Sequence, residues 1–428
     1  MDRRDFVAYL AGTTALSTTA LGKLNAEIYR GIADLNRDLQ QDESPDGAYW
    51  EGIRRYYILE DDLIMMNNGT VGPMPEPVFN TLVKYFKIQA TNPYDCYNFL
   101  PTKKHEVCGR LADFINADAD EVAINRNTTE GMNLVANGLD FEPGDEVVIS
   151  SHEHPAGYYP WKMQEKRYGI RVIEVPIGAP PNSKEEVLDA FAAAITPRTR
   201  VISVSHTVYI TGLIFPVKEL SEIAHQHGIL VAADSAHGLG MLDLDVHDLG
   251  VDVFASSPYK WCGAPAGCGL LYVRRDAQDR LWPTIASSGW DSREGANRFE
   301  TLGQRADPLV YALAEALDFQ NAVGRGRIER RIRTLATHLK DGLASIPKVR
   351  LHTSTDPYLS AGLTAFSVEG VQPRTIVDYL RERYNIVIRT IGRDRDNTSG
   401  VRVSTHIFVS TRDVDMVLEG VDHLARNA

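Results

Sequence analysis

Residues 251–269 read VDVFASSPYKWCGAPAGCG, and this stretch determines how the rest of the sequence is interpreted. Its first part, Val251–Ala255, is a short apolar run that predicts a buried strand, and the run ends in two serines. Lys260 follows shortly afterwards, ahead of a glycine-rich turn. A lysine buried in a cleft has a lowered pKa, which favours the neutral amine needed to form an imine. The stretch therefore indicates a strand that presents a chemically active lysine.

Similar short runs alternate with helix-length segments, such as Pro216–His227, through the middle of the chain. Most of these runs are continuously apolar, which is typical of strands buried on both faces of a mainly parallel sheet. The predicted strands are Glu121–Asn125, Glu146–Ser150, Arg171–Val175, Arg200–Val204, Ile229–Ala233, Val251–Ala255 and Gly269–Val273. This alternation predicts an α/β domain with a mainly parallel seven-stranded sheet and helices on both faces.

The pattern changes after about residue 330, where a smaller α+β domain is predicted. Its predicted elements are helices at Ile328–Ile346, Pro373–Tyr384 and Thr411–Ala425 and strands at Leu363–Val368, Ile386–Ile391 and Gly400–His406. We therefore divide the chain into four parts. These are a signal peptide (1–22), an N-terminal arm (23–70), a large domain (71–325) and a small C-terminal domain (326–428).

The overall composition excludes several classes of function. The chain has 45 Lys and Arg against 57 Asp and Glu, a formal net charge of −12. Nucleic-acid binding draws on clustered positive charge, so we expect no nucleic-acid partner. The four cysteines match neither a disulfide framework nor a zinc-binding pattern, and Cys262 and Cys268 are expected to be buried packing residues. We predict no metal site.

The N-terminus predicts export. Arg3 and Arg4 precede a weakly apolar stretch, Val7–Leu21, which resembles a twin-arginine (Tat) signal. The alternative is an ordinary amphipathic helix that begins with two arginines. The stretch is short and rich in Thr, so we expect no stable membrane insertion. These features predict a periplasmic protein exported by the Tat translocon.

Polar residues follow several of the predicted strands, at the sheet edge where parallel α/β proteins bind ligands. Thr128 and Thr129 stand at a predicted helix N-terminus, which suits a phosphate, although a threonine is also a common helix cap. Asp234 ends one strand, where a carboxylate could equally cap the next helix. His154 follows another strand and could stack on an aromatic ring.

These residues together match the needs of pyridoxal 5′-phosphate (PLP). A PLP enzyme requires a lysine that holds the cofactor as a Schiff base, an acid paired with the pyridinium nitrogen, and a phosphate-binding loop. Lys260, Asp234 and the Thr128-Thr129 pair supply the three requirements in the expected chain order. Because each signal alone is weak, their coincidence carries the prediction.

The chain resembles the fold-type-I PLP enzymes of the class V aminotransferase superfamily over roughly residues 60–425, and Lys260–Gly267 resembles most the isopenicillin N epimerase-like branch. The resemblance implies that Lys260 carries the imine, Asp234 pairs with the ring nitrogen, and His154 stacks on the ring. It also implies that His237 contacts the ring hydroxyl and Ser257 binds the phosphate. On the substrate side it assigns Asn68, Tyr209 and Arg402, with Arg402 holding the α-carboxylate through a planar bidentate guanidinium.

Three positions depart from the superfamily pattern. The segment Thr390–Gly400 has no cysteine where desulfurases carry the one that forms a persulfide. Tyr259 replaces the usual histidine before the lysine, and Gln304 replaces a threonine that contacts the cofactor phosphate of the partner subunit. By resemblance we still expect Tyr259 and Gln304 to bind the cofactor, and we expect a homodimer with its active sites at the subunit interface.

The substrate is expected to be a small molecule with an α-amino acid group. The export signal and the resemblance favour tailoring of a glutamyl side chain of a siderophore such as pyoverdine, by transamination or decarboxylative deamination. The alternatives are a C–S lyase, an epimerase or an aminotransferase. A catalytically inactive exported binding protein is the alternative from a different class, and the retained Asp234–Lys260 pair argues against it.

Overall fold

The structure is a computed structural model that describes residues 15–38, 47–292, 294–392 and 398–428, with the backbone alone at 15–19 and 99–103. Its helices are α1 (Ala15–Asp38), α2 (Ala48–Arg54), α3 (Glu76–Thr91), α4 (Pro93–Ile115), α5 (Thr128–Gly138), α6 (Pro155–Tyr168), α7 (Lys184–Ala194), α8 (Val217–Gln226), α9 (Val246–Leu249), α10 (Asp307–Val323), α11 (Arg325–Ser345), α12 (Pro373–Tyr384) and α13 (Thr411–Arg426). Its strands are β1 (Ile64–Met65), β2 (Val122–Asn125), β3 (Glu146–Ser150), β4 (Arg171–Val175), β5 (Thr199–Ser205), β6 (Leu230–Asp234), β7 (Val253–Ser256), β8 (Gly269–Val273), β9 (Val349–Leu351), β10 (Leu363–Val368), β11 (Ile386–Val387), β12 (Arg389–Ile391) and β13 (Gly400–Ser404).

The central sheet has seven strands in the order β2-β8-β7-β6-β5-β3-β4. Strand β8 is antiparallel to both of its neighbours, and the other adjacent pairs are parallel. Strands β6, β7 and β8 are buried at every position, because the sheet is covered on both faces. The predicted fold is therefore confirmed, and the observed strand limits differ from the predicted ones by at most two residues.

The parallel strands of this sheet end in buried polar residues. Strands β3, β5, β6 and β7 end at Ser150, Ser205, Asp234 and Ser256, and each of these residues is at most 3% exposed. The carboxyl ends of parallel strands meet at one edge of a sheet, so these polar groups collect there. That edge is the place to look for a ligand site.

A four-stranded antiparallel sheet, in the order β12-β13-β10-β9, lies in the C-terminal part of the chain. The predicted single strand Ile386–Ile391 is wrong in one respect, because it consists of two short strands that pair with different partners. Strand β11 pairs in parallel with β1, whereas β12 pairs with β13. The three-residue strand β9 was not predicted, since so short a run has no clear periodicity.

The N-terminal helix α1 crosses residue 22, the predicted end of the signal peptide. Beyond that point it packs on the rest of the protein: Asn25 donates to the carbonyl oxygen of Pro77 over 3.2 Å, and the Tyr29 hydroxyl donates to Glu315 over 2.6 Å. The predicted Arg3-Arg4 pair lies outside the described residues. Within the part of the chain that the structure describes, no helix is long and apolar enough to cross a bilayer. The four-part division of the chain stays a prediction.

Candidate active site

Asp234, the last residue of β6, is the buried acid of the site. One carboxylate oxygen accepts a hydrogen bond from the backbone N–H of Ala236 over 3.1 Å. The other oxygen, Oδ2, is buried and has no hydrogen-bond partner among the described residues. Burial raises the pKa of Asp234, whereas the nearby Lys260 lowers it. A buried carboxylate oxygen without a partner fits the role of binding a pyridinium N–H.

Lys260 lies in the turn after β7, close enough to Asp234 for the charge of each to affect the pKa of the other. Burial, with help from Arg402 and Arg389, lowers its pKa to about 8, and the Asp234 charge opposes that shift. A substantial fraction of the amine is therefore neutral near pH 8, as carbonyl addition requires. The N–H of Gly72 donates to the carbonyl oxygen of Tyr259 over 3.0 Å, and a Cβ on Gly72 would lie 2.1 Å from the Lys260 carbonyl oxygen. Only glycine allows this segment to approach the lysine so closely.

His237 connects Lys260 to Trp261. Its Nε2 lies 3.4 Å from the Lys260 Nζ, and its Nδ1 accepts a hydrogen bond from the Trp261 indole N–H over 3.1 Å. Burial and the neighbouring positive charges lower the pKa of His237 well below its usual value, so the ring is neutral. Because an indole N–H can only donate, the proton of His237 resides on Nε2. His237 therefore presents a donor to the space around the lysine.

His154 caps helix α6 at the same edge of the sheet. Its Nδ1 accepts a hydrogen bond from the Ala156 N–H over 3.1 Å, and its ring meets that of Tyr209 edge-on at 4.8 Å between centroids. Burial, followed by the charge of Lys260, lowers the pKa of His154 to about 4. A neutral ring held at both its edge and its Nδ1 is suited to stacking on a cofactor ring.

A cavity of about 500 Å³ opens beside His154. Its walls come from helices α5 and α6 and include Thr129, Tyr159 and Met163. Both Tyr159 and Met163 are exposed apolar side chains. The cavity can therefore hold a group larger than a free amino acid.

The predicted phosphate loop is formed where β7 and α5 meet. The Ser257 hydroxyl accepts from the Thr128 backbone N–H over 3.1 Å and lies 2.7 Å from the Thr128 hydroxyl. Both residues stand at the N-terminus of an 11-residue helix, whose free N–H groups and dipole favour an anion. Thr129 follows on the cavity wall. The structure thus brings Thr128, Thr129 and Ser257 together.

Arg402 is a fully buried guanidinium on β13. It donates to the Tyr209 carbonyl oxygen over 2.6 Å, to Asn67 over 3.2 Å and to the Thr70 hydroxyl over 3.3 Å. Its Nε has no hydrogen-bond partner among the described residues. Burial, with the charge of Arg389, lowers the pKa of Arg402 to about 9. This arrangement leaves one edge of the guanidinium available for a carboxylate.

Asn68 lies in the segment that follows β1, between Asn67 and Gly69, which both approach Arg402. It is fully buried, and neither its Oδ1 nor its Nδ2 has a partner within the described part of the chain. The next residue, Gly69, donates from its N–H to the Ser404 hydroxyl, and a Cβ there would lie 2.7 Å from Arg402 Nη2. The predicted substrate-side residues Asn68, Tyr209 and Arg402 therefore share one region of the structure.

Sequence reasoning missed two charged residues of the site. Glu153 is buried and accepts from the hydroxyls of Ser150 over 2.5 Å and Ser205 over 2.8 Å. Burial raises the pKa of Glu153 to about 7, and Asp234 contributes to that shift. Arg389, on β12, contributes to the lowered pKa of Lys260. The position of Glu153 next to His154 was the one signal that could have identified it.

Gln304 is not brought to the site by this chain. It is exposed, and Gly303 before it has a φ of 73° with nothing near its Cα that would contact a Cβ. The next residue, Arg305, anchors the loop by donating to the Ile124 carbonyl oxygen over 2.9 Å. The contact of Gln304 with a cofactor phosphate stays a prediction that requires a second subunit. Residues 393–397 of the segment Thr390–Gly400 lie outside the described residues.

Residues 65–417 match the aminotransferase class-V family, and the chain belongs to that family. It is 30% identical over 394 residues to isopenicillin N epimerase of Streptomyces clavuligerus. That alignment covers 88% of this chain and 98% of the relative. It is 27% identical over 401 residues to a probable cysteine desulfurase of Methanothermobacter thermautotrophicus, with the same coverage.

Solved structures agree with these relatives. The chain aligns with a TM-score of 0.78 and 25% identity to a mutant C-DES protein in which glycine is covalently linked to PLP, over 86% of this chain and 98% of the other. The fold also matches a cysteine desulfurase of Thermococcus onnurineus, with a TM-score of 0.79 at 24% identity. This alignment covers 88% of the present chain and 98% of the desulfurase. The chain is a PLP-dependent enzyme of fold type I. The free Asp234 oxygen, the Lys260 amine and the Thr128–Ser257 loop fit that cofactor.

Proposed function

We propose that this chain is an exported PLP enzyme that acts on the α-amino acid group of a glutamyl side chain, on a siderophore such as pyoverdine. The observation that carries the proposal is the presence in one site of Lys260, with its lowered pKa, and of the buried guanidinium of Arg402. A lysine whose pKa is about 8 supplies a neutral amine, and Arg402 keeps an unpartnered Nε toward which an α-carboxylate can bind. The cavity of about 500 Å³ beside His154 leaves room for the rest of a large substrate.

Each residue of the site has its own role in the proposed reaction. When bound, PLP withdraws electron density from the α-carbon of the substrate. Arg402 orients the substrate through its carboxylate, and His154 limits the position of the cofactor ring. Lys260, once its amine is free, holds or delivers a proton at the α-carbon or at the adjacent cofactor carbon. The Nε2–H of His237, 3.4 Å from the Lys260 amine, is placed to donate to that amine when it is neutral.

The outcome of the reaction depends on which bond of the α-carbon is broken. Transamination passes the amino group to the cofactor and leaves a 2-oxo acid, whereas decarboxylative deamination releases CO₂, passes the amino group to the cofactor and leaves an aldehyde. We propose one of these two outcomes for the glutamyl substrate. The segment Thr390–Gly400 lacks a cysteine, which argues against the persulfide chemistry of desulfurases.

Epimerisation is the second candidate, and the similarity to isopenicillin N epimerase over nearly the whole relative favours it. In that reaction the proton returns to the opposite face of the α-carbon, so the mass of the substrate does not change. A C–S lyase is a third possibility, supported by the likeness to a cystine C–S lyase. Mass and chirality of the product separate all three.

The test is a product analysis with the purified PLP-loaded protein. We would incubate it with glutamate, γ-glutamyl peptides and glutamyl siderophore precursors, with and without a 2-oxo acid acceptor, and analyse the products by mass spectrometry and chiral chromatography. A 2-oxo product or a CO₂ loss on the glutamyl substrate supports the proposal. Turnover of sulfur amino acids alone, or inversion without a mass change, replaces it with an alternative. A sample that never acquires colour with PLP would favour the inactive binding protein.

Export is the remaining part of the proposal, and the Arg3-Arg4 pair before a weakly apolar stretch supports it. The Tat route suits a protein that folds around its cofactor before it crosses the membrane. A reporter fused to residues 1–30 should reach the periplasm, and replacing both arginines with lysine should retain it in the cytoplasm. Export of the double-lysine variant would contradict this assignment.

A further inference from the structure

Two arginine side chains lie next to each other in the site. Arg389 and Arg402 are directly opposite each other in the antiparallel pair of β12 and β13, so their side chains are on the same face. Nη1 of Arg389 and Nη2 of Arg402 each donate to the Thr70 hydroxyl over 3.3 Å. One uncharged oxygen therefore lies between two guanidinium groups.

Within the described part of the chain, these two charges have no carboxylate partner. Among the residues that the structure describes, no carboxylate lies within 4.0 Å of Arg389 or Arg402, although many surface arginines of this chain have such a partner. Lys260 adds further positive charge to the same region. Like charges brought together at a buried position are unfavourable unless an anion binds between or beside them.

The two side chains are also fixed in different ways. Arg402 is held by three hydrogen bonds to Tyr209, Asn67 and Thr70, which leaves its Nε available. Arg389 is half-buried, donates from Nε to the Thr390 carbonyl oxygen over 3.2 Å, and donates from Nη1 to Thr70. Nη2 of Arg389 makes no hydrogen bond to a described residue. Each arginine thus offers its own donor. A carboxylate bound at Arg402 would leave Nη2 of Arg389 available for a second acceptor.

We propose that Arg389 binds a second carboxylate of the substrate while Arg402 binds the α-carboxylate, so that the site selects α-amino acids that carry a second acidic group. The inference rests on the proposed function for the position of the α-carboxylate. The second carboxylate can come from two sources. It is either the distal group of a free dicarboxylic amino acid or a carboxylate on the moiety attached to a glutamyl group.

The experiment measures binding of amine-free probes, so that it does not depend on turnover. Glutarate is butyrate with a second carboxylate on its terminal carbon, and each probe is titrated into the PLP-loaded protein while the absorbance and melting temperature of the protein are followed. A charged hydrogen bond corresponds to roughly a 10-fold to 100-fold difference in affinity, so glutarate should bind tighter than butyrate by that factor. Arg389→Gln should remove the difference and leave butyrate binding within about twofold of wild type.

Two further variants act as controls. Arg374→Gln removes an exposed arginine of α12 that is paired with Asp378, and it should leave both affinities unchanged. Arg389→Lys keeps the charge without the planar donor group and should retain part of the preference for glutarate. The melting temperature of each variant without a probe reports whether it folds.

Equal binding of glutarate and butyrate to the wild type would overturn the inference. So would an Arg389→Gln variant that weakens both probes equally, because Arg389 would then act only on the α-carboxylate. Comparing glutamate with γ-glutamylglycine as substrates separates the two sources of the carboxylate. If no glutamyl compound is turned over but glutarate is still preferred through Arg389, the proposed function fails and this inference stands.

Discussion

The indole N–H of Trp261 donates to Nδ1 of His237 over 3.1 Å, and this bond determines that the proton of His237 faces Lys260. The donor Nε2–H at 3.4 Å stabilises the neutral amine of the lysine. Trp261 is fully buried, and it also contacts the site through this hydrogen bond. We therefore expect Trp261, which directly follows Lys260 in the chain, to influence the pKa of the lysine through His237.

Trp261→Phe should raise the pKa of Lys260, since His237 can then carry its proton on either nitrogen. The pH midpoint for the rate of PLP capture, near pH 8 in the wild type, should shift upward. Stopped-flow absorbance of the PLP-free protein mixed with PLP measures it. Trp161→Phe is the matched control, because Trp161 is equally buried but its indole N–H has no partner among the described residues. A shift of the same size in both variants would contradict the role of the hydrogen bond.

Borohydride reduction of the PLP-loaded protein should attach a phosphopyridoxyl group to Lys260 alone. Lys340 is an internal control, since burial also lowers its pKa to about 8. Its Nζ is engaged with the Ser354 carbonyl oxygen and the Ser360 hydroxyl, so a lowered pKa without the right surroundings is expected to be insufficient. Peptide mass mapping after reduction decides the point. Modification of the Lys340 peptide in place of Lys260 would refute the assignment.

Asp234→Asn should fold and bind PLP weakly, with turnover reduced by about 100-fold or more, as expected when one partner of a buried ion pair is removed. The amide cannot supply the negative charge with which Oδ2 of Asp234 would hold the ring nitrogen of PLP. PLP content, the melting temperature and the rate of product formation are measured together. Turnover close to that of the wild type would show that Asp234 is only a helix cap.

Glu153→Gln should change how stability depends on pH. Burial raises the pKa of Glu153 to about 7 from a usual value near 4.5, so the folded protein binds a proton that the unfolded chain releases. Stability is then greatest below pH 4.5 and is lost as the pH rises through 7, by an amount on the order of 3 kcal/mol. Melting temperatures of wild type and Glu153→Gln from pH 5 to 8 should diverge in favour of the variant. Parallel curves would mean that Glu153 does not titrate in this range.

Gln304→Ala should weaken PLP retention in a protein that still assembles as a homodimer. Gln304 is exposed in this chain, and its loop is anchored from behind by Arg305, so a contact outside the subunit is the role open to it. Light scattering gives the assembly state, and dialysis followed by absorbance gives the retained cofactor. A monomer mass for the active, PLP-loaded wild type would contradict the expected homodimer.

The sequence predicted those parts of the site that follow directly from strand ends. Asp234 and Lys260 each come after a buried apolar run, and the carboxyl ends of parallel strands meet at one edge, so their proximity could be anticipated. The same reasoning could not find Arg389. Arg389 lies on a strand that was predicted as one piece with β11. That it faces Arg402 becomes apparent only from the register of the antiparallel strands β12 and β13.

Other features depend on contacts that have no sequence pattern. Glu153 is polar and would ordinarily be exposed, and only the hydroxyls of Ser150 and Ser205 make its burial possible. The hydrogen bond of Trp261 likewise depends on the orientation of a ring. The strand limits, by contrast, were predicted closely, because continuous apolar runs bounded by polar residues are a strong local signal.

The pairing of β1 with β11 has a consequence for the way in which the protein is made. Ile64 is in register with Ile386 and donates from its N–H to the Asn385 carbonyl oxygen over 3.2 Å, so the start of the segment that carries Asn68 and Gly72 is held by the far end of the chain. A ribosome that has synthesised the seven-stranded sheet has still not supplied β11 or Arg402. The substrate-binding half of the site therefore cannot form during translation and is completed only after the last strands emerge. Truncation near the C-terminus would leave a protein able to present Lys260 but unable to hold its substrate.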